Sequence, residues 1–413
     1  MGGAVPDLLV AGRRRGERSR RETVKVLNHR IVRPARWTGV AALVLATVSL
    51  ASAGHGAAAR AVDRAPSVQT GAAAAAPVAG PIFANAHDGT GDAILDRIVA
   101  NINATPSSGQ IRVASMTFTD PAVAGALAAA ARRGVDVRVV VARKTCTSGA
   151  VATLRAADVR LTCAVYSARG SDAYTSGTQH IKAVSFSETG GKGQVVIVTS
   201  SNLTEHAREY QANDAYQTVG WSTFYSFWVG IHNQLMADDP VTNPFRTLTE
   251  GVSQVYVNPN NPGQTDPVVN RINALPTRNL VIRISMSALL GARAGAIADA
   301  LIAKARAGAR IVYIDSSPTD GTAEADMKRA GIQFRNYDWN DAAGQHHFHH
   351  HKFMTASWDN AAGGRVYRTW MGSEVWTPPG RIADEIVLRL GSSTTHDAYV
   401  RYFNRLWSLS TPG

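Results

Sequence analysis

Two short stretches, His180-Ile181-Lys182 and His350-His351-Lys352, each set a His and a Lys two positions apart, and they recur 170 residues from one another. A neutral imidazole is a competent nucleophile and a general acid or base near neutral pH. In an extended segment side chains alternate, so the Lys shares a face with the His. One segment then offers a nucleophile and a fixed positive charge to the same anionic group. Two such segments meeting at a pseudo-twofold axis would set two His and two Lys around one phosphate. One His would attack phosphorus, the other would protonate the leaving oxygen, and the lysines would stabilise the non-bridging oxygens. This chemistry requires neither a metal nor a cofactor.

The elements that must position these pairs repeat as well. Asp92–Arg97 followed by Ile111–Met116 resembles Asp266–Arg271 followed by Val281–Met286, and the two Ser-Met pairs are again offset by 170. Ala-rich helical runs follow, Ala124–Arg133 and Ala296–Ala307, each stopping at a glycine, Gly134 or Gly308. Apolar strands Val135–Val141 and Ala309–Ile314 come next, then a short helix and a further strand in each copy. The pattern is β-α-β-α-β twice, with continuous apolar strands suited to burial between helix layers. Beyond each His-x-Lys come a strand (Gln194–Thr199, Arg365–Met371), a small or polar turn (Ser200–Thr204, Gly372–Thr377), an acid (Asp214, Asp384) and a closing aromatic-rich helix (Thr223–Met236, Ala398–Trp407).

With these residues in view, the sequence resembles the phospholipase D superfamily, whose motif reads His-x-Lys-x4-Asp followed by a Gly/Ser-Ser-x-Asn turn. The resemblance covers about residues 82–410. It implies an α/β fold of two similar α-β-α sandwich lobes related by a pseudo-twofold, with one active site between them. It also implies hydrolysis or transfer of a phosphodiester through a phosphohistidine. Carried over position by position, it makes His180, Lys182, His350 and Lys352 catalytic, and Ser200, Asn202 and Ser373 substrate-binding. Asp214 and Asp384 resemble the carboxylates that orient each His; the alternative for them is an ordinary strand-edge acid paired with Arg. The motif Asp is replaced by Ser187 and Ser357, with Glu188 and Asp359 close by, and Glu374 or Val375 stands where the second turn would carry Asn. Which His is the nucleophile is open, with His180 favoured because its copy keeps Asn202.

Other readings compete. His346, His347, His349, His350 and His351 form a cluster that could bind a transition metal, but no Cys or acid adjoins it at a familiar spacing. Tyr337, Trp339, Phe348, Trp358, Trp370 and Trp376 gather around the second motif, either as a rim for a membrane–water interface or as core. The formal charge of +12 is concentrated at the start: residues 1–53 hold ten Lys/Arg and three Asp/Glu, which leaves +5 for the rest. That lacks the dense basic track of a dedicated nucleic-acid binder.

Residues 1–53 read as a signal peptide, with a basic region to Arg36, an apolar segment Gly39–Leu50 and a small-x-small site Ala51-Ser52-Ala53. An uncleaved anchor is the alternative. Residues 54–80, rich in Ala, Gly and Pro, read as a disordered linker. The first lobe is then expected at 81–250 and the second at 251–413. Export makes a disulfide between Cys146 and Cys163 possible, with two buried thiols as the alternative. The expectation is a secreted, monomeric phospholipase D-type enzyme that acts on a phospholipid or other phosphodiester, with transient membrane-surface contact and no obligate protein partner. The alternatives are a secreted, metal-independent endonuclease and a phosphate-binding module that has lost turnover.

Overall fold

Runs such as Asp-Val-Arg-Val-Val-Val-Ala at 136–142 supply the β-branched residues that fill a sheet covered on both faces. The computed structural model describes residues 76–413, apart from 169, 173, 174, 177, 317 and 318 and the side chains of 171, 172, 175 and 176. The expected signal peptide and the first part of the expected linker, 54–75, lie outside the described residues.

The first lobe contains β1 (Gly80–Asn85), β2 (Gln110–Ser115), β3 (Asp136–Ala142), β4 (Arg160–Ala164), β5 (Ala183–Thr189), β6 (Lys192–Thr199) and β7 (Gln211–Thr218). The second contains β8 (Arg246–Glu250), β9 (Ser253–Asn258), β10 (Val281–Met286), β11 (Arg310–Asp315), β12 (Gln333–Asn336), β13 (Asp338–Asn340), β14 (His346–His349), β15 (Lys352–Asp359), β16 (Arg365–Gly372) and β17 (Glu385–Leu390). The sheets run in the same order, β1-β7-β6-β5-β2-β3-β4 and β9-β17-β16-β15-β10-β11-β12. In each, the last three strands are parallel and the others antiparallel. The duplication read from sequence is therefore a duplication of topology. β8 already pairs with β9, so the second sheet begins at Arg246 and not at 251, and the first lobe begins inside the expected linker, at Gly80.

Helices α1 (Ala93–Asn103), α2 (Pro121–Arg132) and α3 (Gly149–Arg155) cover one face of the first sheet, and a short α4 (Glu205–Tyr210) follows the Ser-Ser-Asn turn. α2 starts where it should: Asp120 accepts from the Val123 amide at 2.8 Å and Pro121 occupies the first turn. The chain leaves it through Gly134 at φ +97°, a conformation that costs a glycine nothing. Helix α5 (Ser222–Ala237) covers the other face. In the second lobe α6 (Pro267–Asn273), α7 (Gly291–Arg306) and α8 (Gly321–Arg329) repeat the outer layer, and α9 (Ser393–Leu409) takes the place of α5.

Phe224, Trp228, Ile231 and Leu235 of α5 and Tyr399, Phe403 and Leu406 of α9 belong to one apolar core that draws on both sheets. Each such side chain contributes roughly 1.5–3 kcal/mol on burial. The lobes are thus held together by core, and the polar site is set into its edge. No helix among the described residues is long and apolar enough to cross a membrane.

Candidate active site

Each His-x-Lys pair is carried on a segment that crosses to the other lobe. The His180 amide donates to the Asp384 carbonyl at 3.1 Å, and the Asp384 amide donates back to Thr178. In the second copy His349 lies opposite Ala212 in a parallel pairing, and the His350 amide donates to the Ala212 carbonyl at 2.8 Å. Ala212 near the start of β7 and Asp384 just before β17 therefore hold the other lobe's motif. Both His residues precede the strands: β5 begins only after Lys182, at Ala183, and β15 begins at Lys352, so the strand alternation expected to align His with Lys does not span either pair. Instead each Lys folds back on its own His: Lys182 Nζ donates to the His180 carbonyl at 2.9 Å, and Lys352 Nζ to the His350 carbonyl at 2.6 Å and to Ser287 Oγ at 3.0 Å.

The imidazoles have corresponding but unequal partners. His350 Nδ1 lies 2.9 Å from the Ser200 carbonyl and 3.3 Å from Asn213 Oδ1. A carbonyl can only accept, so Nδ1 carries the proton and Nε2 is left with its lone pair. His180 Nδ1 lies 2.8 Å from Glu385 Oε1 and is also bonded by the Ser373 carbonyl. Ser200 Oγ donates to Asn213 Oδ1 at 2.9 Å, and Ser373 Oγ donates to Glu385 Oε2 at 2.5 Å. Asn213 and Glu385 are thus the same position in the two copies, neutral in one and acidic in the other.

Burial dominates the electrostatics. It pushes both imidazoles well below the usual histidine range, and the lysines add to this: Lys182 and Lys352 act on each of them. Burial lowers Lys182 to about 7, against the pull of Glu385, and with the charge of Lys182 it holds Lys352 well below the usual lysine range. The Glu385 carboxyl is raised to about 8 by burial, opposed by Lys182 and the Ser373 hydroxyl. At 2.8 Å, a carboxyl with raised and an imidazole with lowered proton affinity hold one proton between them. The site is built for an anion: a bound phosphate would restore the protonation that the lysines and burial oppose.

Several expectations need correction. Asp214 and Asp384 do not reach an imidazole. Asp214 accepts from the Tyr399 hydroxyl of α9 at 3.0 Å, and Asp384 accepts from the Ala168 amide at 2.8 Å. The true partners, Asn213 and Glu385, are their sequence neighbours. The spacing from Ser200 and Ser373 is the signal that locates them, since each serine hydroxyl binds its neighbour on the adjacent strand. Asn202 uses its Oδ1 to accept from the Thr117 amide at 3.3 Å, which leaves its NH2 as the free end. Glu374 turns inward to Arg271 at 2.7 Å and Arg293 at 2.8 Å, so the second lobe offers no counterpart carboxamide. Ser187 accepts from the Gln110 amide and Ser357 from Arg365, both at 2.8 Å. Each lies five positions along a strand from its Lys, roughly 16 Å. The missing motif acids therefore lie outside the site.

Of the His cluster, His346 and His347 turn to Asp338 and Asp341, and His349 and His351 are buried. No group of three or more His, Cys, Asp or Glu among the described residues is placed to hold a metal ion. Trp370, Trp376 and Tyr337 are core; Trp339, Phe348 and Trp358 are half-buried. Cys146 and Cys163 form a disulfide, with their Cα atoms 5.9 Å apart.

In sequence, the family described as cardiolipin synthase, PLD-like domain, matches residues 98–223. No curated protein matches the chain. Among solved structures, polyphosphate kinase from Porphyromonas gingivalis superposes with a TM-score of 0.53 at 14% identity, over 80% of this chain and 50% of that one. This chain thus spans about half the length of that kinase. Phosphatidylserine synthase from Haemophilus influenzae Rd KW20 gives 0.52 at 12% identity, over 79% of this chain and 87% of that one. Nuc, a phospholipase D family member from Salmonella typhimurium, gives 0.31 at 18%, over 39% of this chain and 96% of that one.

Proposed function

We propose that this chain, which belongs to the phospholipase D superfamily by the sequence of its first lobe and the fold of both, cleaves a phosphodiester through a covalent phosphohistidine on His180. The observation that carries the assignment is the contrast between Glu385 and Asn213. A phosphorylated imidazole carries substituents on both nitrogens for the life of the intermediate, so its positive charge needs a fixed anion. Once His180 is phosphorylated, the proton it shares with Glu385 at 2.8 Å can rest on Nδ1 and leave Glu385 as that anion; Asn213 offers His350 only a neutral oxygen. His350, whose proton is loosely held, is suited to give it up.

With the anionic substrate in place His350 is protonated at Nε2 as well as Nδ1; in the first step His180 Nε2 bonds to phosphorus, the bond from phosphorus to the leaving oxygen breaks, and His350 donates that Nε2 proton to the leaving oxygen. In the second, His350 takes a proton from water, the water oxygen bonds to phosphorus and the P–N bond breaks. Lys182 and Lys352 hold the non-bridging oxygens throughout.

A phospholipid is the substrate class we favour. The modest charge beyond residue 53 lacks a basic track for nucleic acid, and the family matching the first lobe is described by a lipid synthase. We place the reaction outside the cell, supported by the order of basic, apolar and small residues before Gly54 and by the Cys146–Cys163 disulfide.

Two assays test this. With bis(p-nitrophenyl) phosphate, His350→Ala should release one equivalent of nitrophenolate and stall with a phosphoryl adduct on His180, while His180→Ala should give no burst. An adduct on His350 would overturn the assignment. With phosphatidylcholine vesicles in EDTA, choline release should be lost in both variants. Plasmid cleavage without choline release would replace the lipid reading by the nuclease one.

A further inference from the structure

A third cationic side chain, beyond the two motif lysines, lies near this site in a place that the motifs do not account for. β3 runs parallel to β2 with Val141 opposite Ser115, and β2 lies against β5, where Ala114 is opposite Ala183, the residue after Lys182. Neighbouring strands are about 4.8 Å apart, so the carboxyl end of β3 lies roughly 10 Å across the sheet from Lys182. There the chain makes a single tight turn, Arg143–Thr145, and enters the disulfide at Cys146. The Thr145 hydroxyl donates to the Ala142 carbonyl at 3.2 Å and to the Met116 carbonyl at 3.4 Å, and Arg155 Nη1 donates to the Cys146 carbonyl at 2.8 Å. The turn is therefore fixed on both sides, while Lys144 within it is exposed.

No carboxylate pairs with Lys144 among the described residues, and no hydrogen bond holds its ammonium there. Although its side chain reaches solvent, desolvation by the surrounding protein still lowers its proton affinity, with no anion to raise it. Its charge is felt by both His180 and Lys182, in keeping with the roughly 10 Å between the end of β3 and Lys182. The stretch that follows β11 in the second lobe carries no cation in sequence: 316–319 is Ser-Ser-Pro-Thr. At this pair of turns the pseudo-twofold is broken in charge, with the cation on the first lobe's side.

We propose that Lys144 forms a subsite for a second anionic group, so that the preferred substrate is a phosphodiester bearing a further phosphate or carboxylate beside the scissile one. The proposal deepens the phosphodiesterase reading and rests on it for turnover, but not for binding. A lysine kept without a partner at a rigid turn loses no ion pair when it meets an anion, and its side chain alone must be ordered.

The test separates the two. Calorimetry would measure inorganic phosphate and pyrophosphate binding to the wild type, Lys144→Met and Lys144→Arg. Pyrophosphate should bind the wild type about tenfold more tightly than phosphate, the scale of one charge-assisted hydrogen bond. Lys144→Met should bring that ratio close to one, and Lys144→Arg should restore it. The ratio of kcat/KM for thymidine 5′-(p-nitrophenyl phosphate) with and without a 3′-phosphate should follow the same pattern. A ratio unchanged in Lys144→Met, or no preference in the wild type, overturns the subsite. Failure of either nitrophenyl ester to turn over would instead count against the phosphodiesterase reading, and the calorimetric ratio would still decide the role of Lys144.

Discussion

Asn213 and Glu385 differ by one ionisable group at the same position, and that difference gives two chemically similar histidines separate tasks. The same pair of strands carries a carboxyl with no part in the chemistry. Asp384, buried beside Glu385, accepts from the Ala168 amide with one oxygen and has no partner for the other among the described residues. Burial raises it to about 8, opposed by the Ala168 amide and Arg246. An unfolded Asp titrates near 3.9. Between roughly pH 4 and pH 8 the folded chain keeps a proton that the unfolded chain has released, so this group's contribution to stability falls as pH rises through that window. Asp384→Asn keeps the acceptor for Ala168 and removes the ionisation. It should stabilise the protein by a few kcal/mol at pH 7 and change little at pH 4. Urea unfolding of both proteins at the two pH values reads the difference, and an equal shift at both would reject a buried ionisation.

At the scale of elements, the turns after β6 and β16 show how far the copies have diverged. β16 ends at Gly372, φ +150°, where a Cβ would stand 2.0 Å from the Ile386 carbonyl oxygen, so only glycine fits. Two residues on, Glu374 joins Arg271, Arg293 and the Asn258 amide, and Arg293 in turn holds Asp266 at 2.8 Å. Burial alone would raise Glu374; the two guanidiniums outweigh it and hold the carboxyl below its ordinary value. Its contribution is thus complete above the unfolded glutamate range and is lost as pH falls below it. Glu374→Gln leaves two buried guanidiniums short of an anion, and it should destabilise the fold by about 3 kcal/mol at pH 7, less at pH 3, measured by the shift in urea midpoint. The repeat, the strand order and the two His-x-Lys pairs were legible in the sequence, because period and spacing are local properties. The partners of the histidines were not. Asp214 and Asp384 sit next to the right residues, and choosing between neighbours on a strand buried on both faces needs the register against the adjacent strand. Nor was Lys144 legible: it shares a sheet edge with Lys182 only because β3 and β5 flank β2.

At the scale of the molecule, the exchange of segments makes each imidazole a joint product of both lobes. His180 sits on the first lobe but is held by Asp384, Ser373 and Glu385 of the second; His350 sits on the second but is held by Ala212, Ser200 and Asn213 of the first. Behind them runs one core containing Phe224 and Trp228 from one lobe and Tyr399 and Phe403 from the other, together with the bond from Tyr399 to Asp214. Separating the lobes would expose these aromatics, at roughly 1.5–3 kcal/mol for each. Exchange of lobes between chains should therefore be negligible on the time scale of an assay, and a single chain should hold a complete site. Two inactive proteins, His180→Ala and His350→Ala, should then stay inactive when mixed, and the wild-type rate should remain linear in enzyme concentration. Recovery of up to a quarter of the wild-type rate on mixing would show that lobes from different chains can combine. That would make the shared core weaker than its buried aromatics imply.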